Sequence, residues 1–208
     1  MSRRVEEPPG RPGSRWFLAA YAGLAGFFGL EAAAREGGRT ASLEASTDDQ
    51  GTTRTIASAF AAAVVLAPIL SRLPGPRLPR IAGPAGLAME SGGLALRGWS
   101  MRTLRTSYSR TLRTEDEQLL IDSGPYRLVR HPGYLGSLLT WIGFALASRS
   151  VPVTLLVGGL LGRAYRRRIA AEEQLPRRDL PGYAAYCDRT KALTPTWSLA
   201  HNVRMFYS

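Results

Sequence analysis

Two groups of polar residues in this sequence have the types and spacing that ligand binding requires. In the first, Tyr126, His131 and Tyr134 surround Pro132, just before an apolar run. A helix that starts at Pro132 would present free backbone N–H groups and the positive end of its dipole. His131 can donate a hydrogen bond to a carboxylate, and each tyrosine offers an aromatic face with a hydroxyl. We predict a site for a carboxylate-bearing ligand here; the alternative is an aromatic anchor at a membrane interface.

The second group is Arg168, Glu172 and Glu173. The spacing of four puts Arg168 and Glu172 on one face of a helix, with Glu173 beside them. A surface ion pair is the simplest interpretation of such spacing. Because the group directly follows an apolar segment, we predict instead that it faces a half-buried pocket. There a carboxylate can hold a cation or hydroxyls, and Arg168 can orient an anionic substrate.

Both groups border one long apolar run, residues 134–165, which is interrupted at 148–152. The interruption predicts a tight helical hairpin with Arg149 at its tip. Residues 16–34 and 55–70 have the length and composition of membrane spans, and the Gly- and Ala-rich residues 81–96 are predicted to be a buried third helix. The predicted fold class is all-α, a polytopic membrane bundle of four to five transmembrane helices with a C-terminal cytoplasmic helix.

The chain divides by composition into three parts. Residues 1–15 are predicted to be a flexible tail, residues 16–80 to hold the N-terminal membrane helices and loops, and residues 81–208 to form the core. The polar residues 35–54 are predicted to be an exposed loop. The distribution of arginine fits four spans better than five but leaves the number open.

A net charge of +11, almost all of it from arginine, requires an anionic partner or a membrane topology that collects cations. Because arginines follow the apolar runs, we expect an integral membrane protein whose Arg163–Arg168 block is cytoplasmic. The basic residues 97–113 are either a site for lipid headgroups or a topology determinant. Glu31 and Glu90, inside apolar runs, either have a function, extend to the membrane interface or pair with a neighbouring arginine. The apolar runs argue against a soluble protein that binds nucleic acid.

A resemblance to a known family extends over residues 95–197. Residues 123–136 read SGPYRLVRHPGYLG, preceded by LRGWSMRTL at 96–104 and followed by RIAAEEQL at 168–175, YAAY at 183–186 and LTP at 193–195. This order resembles the integral membrane methyltransferases of the isoprenylcysteine carboxyl methyltransferase and phospholipid methyltransferase group. The sequence departs from the group's pattern at Arg105 and at residues 180–182, on the substrate side.

The resemblance implies S-adenosylmethionine as the cofactor, in a pocket that faces the cytoplasm. It implies that the pocket is lined by Tyr126, His131 and the backbone of Leu119, Leu120 and Ile121. Pro132 and Tyr134 complete the predicted cofactor site, and Arg168, Glu172 and Glu173 are the predicted catalytic residues. No metal is expected, and a single cysteine rules out a multi-cysteine zinc site.

The predicted activity is methyl transfer to a lipophilic acceptor that enters from the bilayer. Because a carboxylate nucleophile needs no base, O-methylation of an isoprenylcysteine-like or other amphiphilic carboxylate is the first choice. N-methylation of a phospholipid amine and S-methylation of a small thiol are the enzymatic alternatives. A non-catalytic membrane scaffold or lipid-binding module is the alternative from another class. No Gly-rich loop follows a predicted strand, which argues against a soluble Rossmann-type enzyme.

Overall fold

The computed structural model describes residues 14–36, 51–111, 121–173 and 183–194. This part of the chain is helical, as predicted, with one isolated β-bridge between Arg77 and Ser150. Its elements are α1 (Ser14–Glu36), α2 (Thr52–Arg72), α3 (Ala82–Thr111), a 3₁₀ turn (Gly124–Arg127), α4 (Pro132–Ala147), α5 (Val151–Glu172) and α6 (Tyr183–Arg189).

The five long helices alternate in direction. Helices α1 and α3 run parallel, because Trp16 lies against Gly83 near their starts and Glu31 pairs with Arg97 near their ends. Helix α2 runs the opposite way and returns to the turn at residues 148–150, where α4 ends and α5 begins. We call that end of the bundle the hairpin end, and the opposite end, where α4 begins and α5 ends, the site end.

Helices α3 and α4 touch through their backbones. Gly86 faces Gly143, and Gly93 faces Gly136, at equal spacing along the two antiparallel helices. A Cβ atom on Gly86 would lie 2.6 Å from the backbone oxygen of Gly143, and one on Gly93 would lie 2.5 Å from the backbone nitrogen of Thr140. Small residues allow this close approach, which membrane helices commonly use. The contact fixes how far α4 is displaced along α3.

The hairpin predicted at residues 148–152 is confirmed. Helix α4 ends at Ala147, α5 begins at Val151, and Arg149 between them has a left-handed φ of 56°. The turn is tied to the α2–α3 connection. The Leu78 N–H donates to the Arg149 backbone oxygen at 2.8 Å, and the Arg149 guanidinium donates to the Leu78 backbone oxygen at 3.1 and 3.2 Å. These bonds stabilise Arg149 in the left-handed backbone conformation, which residues other than glycine rarely adopt.

The predicted helices differ from the observed ones mainly in α3. It continues for 30 residues from Ala82 to Thr111, so the basic stretch after residue 96 extends the third helix instead of following it. Among the described residues, α1 and α2 are long and apolar enough to cross a membrane, and α4 is apolar but shorter. The count of four to five spans therefore stays a prediction, and the predicted tail at residues 1–15 lies largely outside the described residues.

Arg97, the first residue of the basic stretch, is buried and does not reach lipid headgroups. It is 3% exposed, and its Nε donates to Glu31 Oε1 at 2.6 Å. Its Nη1 donates to the backbone oxygen of Gly133 at 3.0 Å and to Ser137 Oγ at 2.7 Å. Of the three interpretations of Glu31, the structure shows pairing with an arginine. One guanidinium joins α1, α3 and the first turn of α4.

Two adjacent glycines of α3 provide a matched test of the α3–α4 contact. Gly93→Ala should lower the free energy of unfolding by about 1–3 kcal/mol, because the new methyl group overlaps α4. Gly92→Ala, whose methyl group meets open space, should be neutral or should stabilise by up to about 1 kcal/mol through its higher helix propensity. Denaturant unfolding of the two variants in detergent measures the difference. Equal stability would contradict a backbone contact at Gly93.

Candidate active site

The alternation of the helices brings the two predicted groups together at the site end. His131 is the N-cap of α4, and Tyr134 lies in its first turn. Glu172 is the last residue of α5, and Glu173 is its C-cap. The hairpin between these helices makes the start of one the neighbour of the end of the other. Residues about forty positions apart in sequence therefore share one cluster.

Glu172 is held by one of its two carboxylate oxygens. Tyr134 donates its hydroxyl to Glu172 Oε1 at 2.5 Å, and Arg168 donates Nε to the same oxygen at 2.6 Å. Arg168 Nε also lies 3.2 Å from the Tyr134 hydroxyl oxygen. For Oε2 the described neighbour is His131 Nδ1, 3.9 Å away. Because the Glu172 side chain is 34% exposed, Oε2 is accessible to a ligand.

Glu173 is bound more tightly. Its Oε1 accepts hydrogen bonds from Arg130 Nε at 3.0 Å, Arg130 Nη2 at 2.7 Å and His131 Nε2 at 3.0 Å. Arg130 Nη1 also donates to the backbone oxygen of Cys187, inside α6, and to that of Thr190, just after α6. Arg130 therefore joins the end of α5 to the C-terminal segment.

The C-terminal segment is also paired to the chain before α4 through its backbone. The N–H groups of Arg130 and His131 donate to the oxygens of Lys191 and Ala192 at 2.9 and 3.1 Å. Tyr186 donates its hydroxyl to the backbone oxygen of Tyr126 at 2.7 Å. These bonds place α6 over the start of α4 and close one side of the cluster.

The environment sets the charge of the two central groups. Burial opposes the ionisation of Glu173, but hydrogen bonds from Arg130 and His131 outweigh it and hold the pKa of Glu173 below its usual value. Burial lowers the pKa of His131 from its ordinary 6.5, more than the two glutamates raise it. Glu173 is thus a carboxylate and His131 a neutral imidazole at pH 7.

The protonation of His131 decides what its second nitrogen can do. Because a carboxylate only accepts, the imidazole must carry its hydrogen on Nε2, toward Glu173. Nδ1 is then a lone-pair acceptor, 3.9 Å from the carboxylate oxygen Oε2 of Glu172. Two acceptors so close together suit a group with several N–H or O–H donors, such as an ammonium group or a pair of hydroxyls.

The tyrosines around the cluster stay protonated. Burial raises the pKa of Tyr183 and of Tyr186 to about 12, and burial together with the neighbouring Tyr186 raises the pKa of Tyr126. Their hydroxyls are therefore neutral donors at physiological pH.

The 3₁₀ turn that carries Tyr126 packs against α3, because a Cβ atom on Gly124 would lie 2.9 Å from Thr103 Oγ1.

The structure brings together most of the residues predicted from the sequence. His131, Tyr134, Arg168, Glu172 and Glu173 form one connected set of hydrogen bonds and close contacts. Pro132, buried at the first position of α4, and the half-buried Tyr126 flank them, and Ile121, also half-buried, begins the described segment. Leu119 and Leu120 lie outside the described residues. Glu90, the other acid in an apolar run, packs against Gly23 of α1, and within the described part of the chain its Oε1 has no hydrogen-bond partner.

Sequence reasoning missed Arg130, Thr52 and Thr53. Arg130 stands directly before His131 in the motif, which was a usable signal. Arg168 Nη1 donates to the hydroxyl oxygens of Thr52 and Thr53, at 3.0 and 3.1 Å. The prediction of an exposed loop over residues 35–54 is wrong at Thr52, which is 7% exposed in the first turn of α2.

Comparison with known proteins gives one matching family. Residues 87–175 match the sequence model of the isoprenylcysteine carboxyl methyltransferase (ICMT) family. This segment contains α4, α5 and the whole His131–Glu173 cluster, but neither α2 nor α6.

Relatives of two kinds are similar to the chain. A probable protein-S-isoprenylcysteine O-methyltransferase of Oryza sativa subsp. japonica is 34% identical over 90 residues, 42% of this chain and 47% of the plant protein. The cobalt-zinc-cadmium resistance protein CzcN of Cupriavidus metallidurans is 35% identical over 80 residues, 38% of this chain and 37% of CzcN. The nickel-cobalt-cadmium resistance protein NccN of Alcaligenes xylosoxydans xylosoxydans is 29% identical over 80 residues, 38% of each.

The chain spans less than half the length of each of these relatives. In the described part of the chain, no three His, Cys, Asp or Glu side chains are grouped so that they could hold a metal ion. The match with the family model and the plant relative confirms the resemblance found in the sequence, and residues 87–175 of this chain are isoprenylcysteine carboxyl methyltransferase-like.

Proposed function

We propose that this chain transfers a methyl group from S-adenosylmethionine to a lipophilic acceptor at the membrane. The observation that carries the proposal is the meeting of the RHPGY and RIAAEE segments, both inside the family match, in one cluster with an accessible carboxylate oxygen. The similarity to a plant protein named as a probable protein-S-isoprenylcysteine O-methyltransferase supports the same activity.

The residues present fit this cofactor. S-adenosylmethionine carries an ammonium group and ribose hydroxyls, and Glu172 Oε2 and His131 Nδ1 form a pair of acceptors for such donors. Tyr126 offers an aromatic face with a neutral hydroxyl, and the start of α4 suits the cofactor's carboxylate. The family resemblance adds the backbone of residues 119–121. When bound, the cofactor supplies an electrophilic methyl group on a sulfonium sulfur.

The charge state of the cluster favours an acceptor that needs no base. Glu173 is held ionised by Arg130, Glu172 is bound by Arg168, and the lowered pKa of His131 makes its imidazole a weak base. A protonated amine would have to lose a proton before attack. A carboxylate attacks as it is, so positioning and exclusion of water can supply the rate. We propose O-methylation of an isoprenylcysteine-like or other amphiphilic carboxylate, with a small thiol or a phospholipid amine as the alternative acceptor.

The outer surface of the helices supports a membrane location. Leu18, Val65 and Leu155, on three different helices, are 59–70% exposed, as expected of side chains in contact with lipid. At the site end, Arg163, Arg166 and Arg167 are exposed on α5. Since cytoplasmic flanks collect arginine, we propose that the site end faces the cytoplasm and that the acceptor arrives from the bilayer.

Removing one charge from the acceptor pair should weaken cofactor binding. We expect Glu172→Gln to bind S-adenosylmethionine about 10- to 100-fold more weakly, because a hydrogen bond to a charged group is lost. Asp122→Asn, at an exposed acid outside the cluster, is the control and should bind like the parent. Calorimetry on detergent-purified protein gives both affinities. Absence of saturable binding to folded parent protein would overturn the methyltransferase proposal and favour a membrane scaffold.

Binding should also depend on the protonation of His131. Below the lowered pKa of His131, Nδ1 gains a hydrogen that points toward Glu172 and removes both acceptors from the ligand. The affinity for S-adenosylmethionine should therefore be at its maximum above pH 6.5. It should fall by about tenfold per pH unit once the pH drops below the folded-state pKa of His131. His131→Gln cannot take up this proton, so its affinity should be independent of pH over the same interval. A parent affinity that stays constant over the pH interval in which NMR shows the His131 imidazole taking up its proton would contradict this role.

A further inference from the structure

Arg168 is held by a helix that lies outside the family match. Its Nη1 donates to the hydroxyls of Thr52 and Thr53, which are 116 and 115 positions away in sequence. Both threonines lie in the first turn of α2, ahead of the matched residues 87–175. The contact is built into the bundle, because both Arg168 and Thr52 are at most 9% exposed.

The position of Thr52 within α2 is unusual. The buried face of this helix continues with Ile56, Ala59, Phe60 and Ala63, which are all apolar. Thr52 stands where the same face would place one more apolar residue. A hydroxyl on a buried stripe needs a hydrogen-bond partner, and the Thr52 hydroxyl accepts a hydrogen bond from Arg168.

The threonines constrain how Arg168 meets Glu172. Arginine and carboxylate side chains commonly pair through two parallel hydrogen bonds, which would engage both oxygens. Here Nε binds Oε1 of Glu172, while Nη1 is turned toward α2. Oε2 stays available beside His131. If α2 no longer held Nη1, the guanidinium could pivot about its Nε bond to Oε1 and bring Nη2, on the same edge as Nε, onto Oε2.

We propose that Thr52 and Thr53 are positioning residues of the site: they hold Arg168 on one oxygen of Glu172 and keep the other oxygen for the ligand. The identity of that ligand rests on the proposed function, whereas the hold on Arg168 does not. The first turn of α2 thereby completes a site whose other residues lie in α4, α5 and the chain between the 3₁₀ turn and α4. It gives the N-terminal part of the chain a role in binding.

The test uses the full chain in detergent and the variant Thr52→Val/Thr53→Val, which keeps the side-chain shape and removes both hydroxyls. We expect its affinity for S-adenosylmethionine to fall about tenfold, with Thr52→Ser/Thr53→Ser restoring it. Thr55→Val is the matched control, because its hydroxyl donates to the Gly51 oxygen in the same turn and not to Arg168. In a Glu172→Gln background the double valine change should cost little more, since the oxygen that it protects has been altered.

A second measurement does not depend on the cofactor. In protein labelled with ¹⁵N-arginine, the Nη1 amino signal of Arg168, assigned with Arg168→Lys, should exchange slowly with water in the parent and in Thr55→Val, because Nη1 is the group that the threonines hold. It should exchange much faster in the double valine variant. Unchanged exchange and unchanged affinity in that variant would overturn the proposal. If the parent binds no S-adenosylmethionine, the proposed function fails; faster exchange would then still support the hold on Arg168, and unchanged exchange would overturn it.

Discussion

A guanidinium that leaves water needs a carboxylate, and this requirement organises the site end of the bundle. Among the described residues, three arginine–glutamate pairs satisfy this requirement: Arg97 with Glu31, Arg130 with Glu173, and Arg168 with Glu172. Each arginine also bonds to a further element, so the pairs together connect α1, α2, α3, α4, α5 and the segment after α6. Removing one partner would leave a buried charge uncompensated, at a cost of about 3–5 kcal/mol for a fully buried pair.

The glycine contact between α3 and α4 brings Arg97 within hydrogen-bonding distance of α4. With Gly93 against Gly136, Arg97 lies one turn further along α3 and reaches the Gly133 oxygen in the first turn of α4. That turn carries Tyr134 and follows directly on His131. Packing in the middle of the bundle therefore sets the position of side chains at its end. A bulkier residue at the crossing would move α4, and the site with it.

Within the cluster the two glutamates differ in how their carboxylate oxygens are bound. Glu173 is held by Arg130 and by His131, which fixes the imidazole and its tautomer. Glu172 is held through one oxygen and keeps the other beside His131 Nδ1. Two carboxylates that are neighbours in sequence are thus held in different ways. Under the proposed function, Glu173 keeps the geometry of the cluster and Glu172 binds the ligand.

The sequence alone determined where the main helices lie, the hairpin at residues 148–152 and which polar residues stand at the two ends of that hairpin, because apolar run length, turn residues and motif spacing are local signals. It did not determine that Thr52 reaches Arg168, or that Arg97 is buried against Glu31 and not facing lipid. Those contacts join residues 116 and 66 positions apart. They depend on how α2 packs on α5 and α1 on α3, and no local pattern encodes that packing, so only the tertiary structure decided which polar residues meet.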